Sequence, residues 1–319
     1  MPHLRVGTVA LVGRPNVGKS TLLNAMLGER IAIVSHHPQT TRDRILGVLT
    51  QPDAQFVFLD TPGLHAAKSK LGARMNHEAR EAARDADVVV FVTSVGVEPA
   101  PGVGRFDAAL LGQIRDASPK TPVVLVINKV DRVADKSALI AVLQAYAEAF
   151  PFAALVPISA KKHDGLERVL SEVKKLLPED QPLYEADTLT DRPLRFLVAE
   201  FVREQILRAT REEVPHGVAV VVDRFDESGK VPKIELSVHV DREGHKKILV
   251  GKQGAVLKEV GSRARARVEA LMGRQVHLAI WVRVTPGWYE SDRGLREMGY
   301  IGGADTTAPE RGRDSEDPR

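Results

Sequence analysis

The chain contains no cysteine, which rules out disulfides and thiolate metal sites and fits a reducing cytosol. Aromatic residues are scarce, at 5% of the sequence with two tryptophans, and leave little material for stacking platforms. No apolar run reaches the ~18 residues needed to span a bilayer. The opening MPHLRVGTVALVG is interrupted by glycine and leads into a Gly-rich loop; it reads as a buried strand and not as a signal peptide. A formal charge of +3 over 319 residues is too small to indicate a partner, so the placement of charge matters more than its sum. What is present is a hydrophobic share of 43% and a charged share of 27%, on a chain long enough for two domains, each with its own core.

The first strong signal is GRPNVGKS, a full match to G-x-x-x-x-G-K-[ST] at residues 13–20, preceded by an apolar strand pattern and followed by the helical TLLNAMLG. Gly13 and Gly18 let the backbone of Arg14, Pro15, Asn16 and Val17 turn its N–H groups inward to cradle phosphates. Lys19 reaches the β/γ oxygens, Ser20 offers a hydroxyl to Mg²⁺, and Thr21 continues the first turn of a helix whose N-terminus favours anions. The run FVFLDTPG supplies a second element. Asp60 ends a buried strand forty residues after Ser20, the place of a carboxylate that holds Mg²⁺ through water, and the Gly63 N–H can sense a γ-phosphate. Residues Asp60, Thr61, Pro62, Gly63 and Leu64 form one switch segment. The other is HHPQTTRDR, residues 36–44, where Thr41 is favoured over Thr40 to complete the Mg²⁺ shell and His36 and His37 are read as solvated.

Nucleotide choice rests on VVLVINKVD. Asn128-Lys129-x-Asp131 follows an apolar strand, and a carboxylate there can accept from both N1–H and the exocyclic amine of guanine. Adenine offers no matching donor pair. Ser159-Ala160-Lys161, after another strand, is placed to contact guanine O6. GTP and GDP are therefore the expected ligands. Alternating strands and helices imply an α/β domain, a mainly parallel sheet with helices on both faces and ligands at the carboxyl ends of the strands.

From residue 176 the pattern loosens into proline and acidic residues and reads as a linker. The order then becomes an amphipathic helix (LRFLVAEFVREQILRAT), two strands around DESGK, two helices joined at Gly251-Lys252-Gln253-Gly254, and a last strand, QVHLAIWVRV. That order is α+β. A Gly-x-x-Gly between two helices is the backbone clamp of a KH module, which grips single-stranded RNA. Residues 242–274 hold nine Lys or Arg against three Glu, and Lys246, Lys247, Lys252, Lys258, Arg263, Arg265 and Arg267 are expected to supply charge around the clamp. Ile248 and Val250 form the expected apolar groove wall. The segment after Tyr300 has almost no apolar content and reads as disordered.

Leu64 stands where many GTPases carry a glutamine that orients the attacking water. Intrinsic turnover is therefore expected to be slow. Help can come from a monovalent cation held at Asn16, which resembles the K⁺ ligand of potassium-activated GTPases, or from a group lent by RNA or by His65. The rival reading is a nucleotide-gated RNA-binding scaffold with negligible hydrolysis.

With GRPNVGKST, QTTRDRILG, DTPGLH, NKVD, ISAK, LTDRP, GKQG and GWYESDRGLREMGY, the chain resembles the Era family of bacterial GTPases from near residue 5 to about 301. The resemblance implies a P-loop GTPase domain (1–180), a linker (181–193), a type II KH domain (194–285), a C-terminal extension (286–301) and a tail (302–319). It also implies a monomeric assembly factor of the small ribosomal subunit that binds the 3′ end of small-subunit ribosomal RNA. Cytoplasmic residence with peripheral association at the inner membrane face belongs to the same implication.

Overall fold

The computed structural model describes residues 4–96, 102–210 and 217–301; the tail 302–319, expected to be disordered, lies outside the described residues. The first part of the chain runs β1 (Arg5–Val12), α1 (Lys19–Leu27), β2 (Ile45–Gln51), β3 (Ala54–Asp60), α2 (Lys70–Asp85), β4 (Val88–Ser94), α3 (Arg105–Ala117), β5 (Val123–Asn128), α4 (Lys136–Ala149), β6 (Ala154–Pro157) and α5 (Leu166–Leu176). Six strands pair in the order β2-β3-β1-β4-β5-β6. All neighbours are parallel except the edge strand β2, which runs antiparallel to β3. The Val-rich runs VVVFVTS and VVLVIN are buried on both faces, as a sheet covered on two sides requires. Alternate residues of β1 divide between two cores. Val9 and Leu11 pack with α1 and α5, while Ala10 and Val12 pack with α2, α3 and α4.

The second part runs α6 (Leu194–Ala209), β7 (Ala219–Asp226), β8 (Lys233–Val240), α7 (Glu243–Val250), α8 (Ala255–Met272) and β9 (His277–Val284), then the short α9 (Asp292–Glu297). Its sheet is ordered β7-β8-β9, with the first pair antiparallel and the second parallel. One face packs on α6, α7 and α8 through Ile234, Leu236, Val238, Leu249 and Val260. The C-terminal extension covers part of the other face. Trp288, Leu295 and Tyr300 meet Ala219 there together with Leu71 and Met75 of α2.

Two expectations need correction. The amphipathic helix is buried on its polar side as well: Glu200, Arg203 and Glu204 are each below 9% exposed, because that side faces the first domain and not water. The segment 181–193 is not a loose tether. It has no helix or strand but lies along β2 and β3, where Gln55 Oε1 accepts from the backbone N–H groups of Leu183 and Tyr184 and Thr190 Oγ1 donates to the Leu46 carbonyl. No helix among the described residues is long and apolar enough to cross a membrane.

Candidate functional site

At the carboxyl edge of the sheet, β1 ends in the phosphate loop. Gly18 has φ 102°, and no side chain caps α1, so the N–H groups of the first turn remain open to an anion. A Cβ at Gly18 would lie 2.3 Å from Asn128 Nδ2, hence glycine. Lys19 is buried and donates to the carbonyls of Gly13 (3.2 Å) and Arg14 (3.1 Å). Burial lowers its pKa to about 8, with the nearby Asp60 pulling the other way. Thr21 is half-buried in the turn beyond it. The side chain of Arg14 turns away from the loop toward α3, where its Nε is 2.7 Å from Asp107 Oδ1. Of this loop, then, Arg14 offers backbone.

Three oxygen-bearing side chains converge beside Lys19. Ser20 Oγ donates to Asp60 Oδ2 at 2.6 Å, and Thr41 Oγ1 lies 2.9 Å from Ser20 Oγ and 3.5 Å from Asp60 Oδ2. Thr40 faces elsewhere, toward Ser35 Oγ and the His37 carbonyl. Burial pushes the Asp60 carboxyl up to about 6, against the stabilising effects of Lys19 and the two hydroxyls. Asp60 Oδ1 is buried with no hydrogen-bond partner among the described residues. A hard-oxygen donor set with one orphaned carboxylate oxygen fits Mg²⁺.

Switch II follows directly. Thr61 is buried and donates to the Leu11 carbonyl, and the Leu64 N–H donates to the Gly13 carbonyl at 3.3 Å. The Leu64 side chain is 5% exposed and sits in the core with α2 and α3, at the rim of a cavity of about 420 Å³ lined by Val12, Ala79, Ala83, Leu110 and Ile114. His65 turns toward α2: Asn76 holds its backbone N–H and carbonyl, and its Nδ1 lies 2.8 Å from the Gly63 carbonyl. Asn16, at φ 62°, directs its amide Nδ2 to the His36 carbonyl at 2.9 Å. His36 is exposed and His37 half-buried.

The base-reading elements meet at one point. Asn128 Nδ2 donates to the Val17 carbonyl, while its Oδ1 accepts from the N–H groups of Lys129 and Ala160. One amide therefore ties the phosphate loop to both base-side loops. Lys129 Nζ donates to the Asn16 carbonyl at 2.5 Å. The exposed Asp131 accepts from Ser159 Oγ at 2.6 Å, and that hydrogen bond holds its carboxyl below the usual carboxylate range. Lys161 is exposed beside it.

In the second domain, Gly251 (φ 72°) and Gly254 (φ 79°) bracket Lys252 and Gln253, and Gln253 is itself at φ 53°. A Cβ on Gly251 would come within 2.5 Å of Val256, so the tight exit from α7 needs glycine. Lys247, Lys252, Gln253 and Lys258 are exposed, Lys246 and Val250 are half-buried, and Ile248 is 40% exposed. The clamp thus presents charge beside an apolar wall. Arg267 does not belong to it. Its guanidinium lies 3.8 Å from the Phe201 ring centroid, pairs with Glu204 and donates to the Arg30 carbonyl at 3.0 Å. Arg267 flanks the buried stripe of Ala264 and Val268, where Glu204 and Phe201 of α6 draw it into the domain junction, whereas Arg263 one turn earlier stays exposed and pairs with Glu259. Composition undervalued one aromatic: Trp281 on β9 is 48% exposed.

Sequence reasoning missed how switch I is enclosed. The Thr40 carbonyl accepts from Arg203 Nη2 (2.6 Å) of α6, and Arg42 donates to the Val218 carbonyl (2.5 Å) and to Tyr300 Oη (3.1 Å) while lying over the Trp288 ring. The Arg44 N–H donates to Glu78 and its carbonyl accepts from Arg192. These partners lie 34 to 258 residues away, beyond the reach of any local pattern.

A phosphate loop, an oxygen cluster suited to Mg²⁺ and a guanine-type carboxylate on a mainly parallel sheet define a guanine-nucleotide GTPase, here joined to a KH module. Comparison with known proteins agrees. Residues 8–129 match the family described as 50S ribosome-binding GTPase and residues 213–289 match the KH domain. The chain is 45% identical to the GTPase Era of Stenotrophomonas maltophilia over 94% of its own length and 98% of the relative's, and 45% identical to that of Geotalea uraniireducens over 93% and 98%. A variant of Aquifex aeolicus Era bound to GDP and AlF4⁻ superposes with a TM-score of 0.88 at 39% identity, covering 93% of this chain and 99% of that one. The same values hold for an Era complex with MgGDPNP and nucleotides 1506–1542 of 16S ribosomal RNA. The chain belongs to the Era family of GTPases.

Proposed function

We propose that this chain hydrolyses GTP and uses the nucleotide state to control binding of the 3′ end of small-subunit ribosomal RNA, assisting small-subunit assembly. The observation that carries this is the run Thr40-Thr41-Arg42. Thr41 stands at the Mg²⁺-type cluster, while Thr40 and Arg42 on either side of it bond to α6 and to the residue before β7. Three consecutive residues join the nucleotide site to the KH module.

Ser20, Thr41 and Asp60 are the residues to hold Mg²⁺, which supplies charge neutralisation at the β- and γ-phosphates. Lys19 leaves the carbonyls of Gly13 and Arg14 to meet those oxygens, and Asp131 reads guanine. Leu64 cannot polarise water, so turnover is slow, and Asn16 is the candidate ligand for a K⁺ ion that aids the step. Lys246, Lys247, Lys252 and Lys258 meet RNA phosphates at the clamp, with Ile248 and Val250 under the bases. The reading places a monomer in the cytoplasm, with this basic surface available for peripheral association at the membrane.

The test is RNA binding by the full chain with Lys252 and Gln253 both replaced by Asp. Two negative charges at the clamp should abolish binding while thermal unfolding is unchanged. Unaltered RNA affinity in the folded double variant would remove the Gly251–Gly254 clamp as the RNA site, and with it the role in assembly.

A further inference from the structure

Asp107 lies in the first turn of α3, outside every GTPase motif, and is 1% exposed. Its carboxylate meets an ion-pair partner on one oxygen and two hydroxyl donors on the other. Arg14 Nε lies 2.7 Å from Oδ1, and the hydroxyls of Thr93 (2.6 Å) and Tyr146 (2.7 Å) both donate to Oδ2. Burial and the hydrogen bond to Asp107 push the Tyr146 phenol upward, so it remains a donor. Burying a carboxylate is costly without such partners. This one gathers the phosphate loop, the end of β4, α3 and α4 at a single point.

The part of the loop it anchors is the part that touches both switches. Pro15 is so close to Gly63 that a Cβ there would lie 2.6 Å from its backbone. Asn16 bonds the His36 carbonyl of switch I, and the Leu64 N–H of switch II bonds the Gly13 carbonyl. The Arg14 carbonyl holds Lys19 Nζ. The N-terminus of α1, by contrast, begins beyond Gly18, and the Val17 carbonyl before it is held by Asn128 Nδ2. Residues 13–16 of the loop thus face both switch segments.

We propose that Asp107 is a positioning residue for GTP hydrolysis: by fixing Arg14 against α3 it fixes the switch-facing half of the phosphate loop. The inference rests on the GTPase reading above, and wild-type turnover tests that reading separately. Steady-state GTP hydrolysis by the full chain is compared for wild type, Arg14→Met, Asp107→Asn and the double variant. Each single change should lower kcat by about tenfold to a hundredfold, the scale of a small misplacement at a reacting centre. KM for GTP should stay within about threefold, because ground-state binding is left in place. The double variant should be no worse than the weaker single variant, since the two residues act as one unit. Tyr146→Phe removes one donor but leaves the ion pair and should cost less than either. If Asp107→Asn fails to fold, Arg14→Met, whose side chain is 40% exposed, carries the test. Unchanged kcat in Arg14→Met, parallel changes in kcat and KM, or losses that multiply in the double variant would each overturn the proposal.

Discussion

Arg203 offers the sharpest test of how the two domains communicate. Its guanidinium is 2% exposed, binds Glu200 through Nε (2.7 Å) and Nη2 (2.6 Å), and gives Nη2 also to the Thr40 carbonyl. Replacing Arg203 alone strands the Glu200 carboxylate in a nearly dry site, a loss of ~3–5 kcal/mol that confuses folding with signalling. The useful perturbation is Glu200→Gln with Arg203→Met, which removes both charges together. What then disappears is the charged hydrogen bond to switch I, worth ~1.5–3 kcal/mol. If that bond is made in one nucleotide state and broken in the other, it accounts for a roughly 10- to 150-fold difference in RNA affinity between the states. The assay is fluorescence anisotropy of a labelled RNA matching the 3′ end of small-subunit ribosomal RNA, titrated with Mg²⁺–GDPNP or GDP present. The double variant should unfold near the wild-type temperature, and its affinity ratio between the two nucleotides should fall toward one. A folded double variant with the wild-type ratio refutes the reasoning, because Arg203 would then hold the domains together without reporting on the nucleotide.

Asp131→Asn should shift preference from guanine toward xanthine nucleotides, read as competition between GTP and XTP; retained discrimination for GTP would show that Asp131 does not read the base. GTP hydrolysis should run faster in K⁺ than in Na⁺, with the difference erased in Asn16→Ala, and equal rates in both salts leave the cation role without support. Leu64→Gln should rescue little, since the amide enters an apolar pocket where burying it costs ~1–3 kcal/mol; a large gain in kcat without a fall in melting temperature contradicts this. Burial and the neighbouring Arg283 hold the His239 imidazole below its ordinary pKa of 6.5. Protons therefore favour the unfolded chain, and stability contributed at this site is present above about pH 6.5 and lost as pH falls below it. His239→Gln should flatten that loss in thermal melts between pH 7 and 5.

The elements and the motifs were legible because their signals are local: Val-rich runs for buried strands, Gly13 to Ser20 for a loop that must turn its amides inward. β2, ILGVLTQ, was not read as a strand, because the segment follows directly on the polar switch residues 36–44. The burial of the polar face of α6 was invisible for a different reason. Glu200, Arg203 and Glu204 look like a solvated stripe until a second domain covers them, and their partners in the first domain are 163 to 174 residues away. Arg267 was misplaced by the same logic, because a count of positive charge does not say which side of a helix carries it. Asp107 gave no pattern at all. Its partners, two hydroxyls and one guanidinium, come from β4, α4 and the phosphate loop.

The enclosure of switch I also sets an order of events during synthesis. All the nucleotide-site motifs lie before residue 162, so a nascent chain of that length already carries all six strands of the first sheet. Arg203, Val218 and Tyr300 reach the segment at Thr40 and Arg42 only later. Switch I is therefore enclosed by segments made after every nucleotide motif. A chain cut after β9 keeps every nucleotide motif and the whole KH sheet, yet it leaves Arg42 without the tyrosine and tryptophan that roof it. A first domain standing alone therefore lacks the partners that Arg203, Val218 and Tyr300 give to switch I, and the final geometry of that switch requires the KH module and the extension.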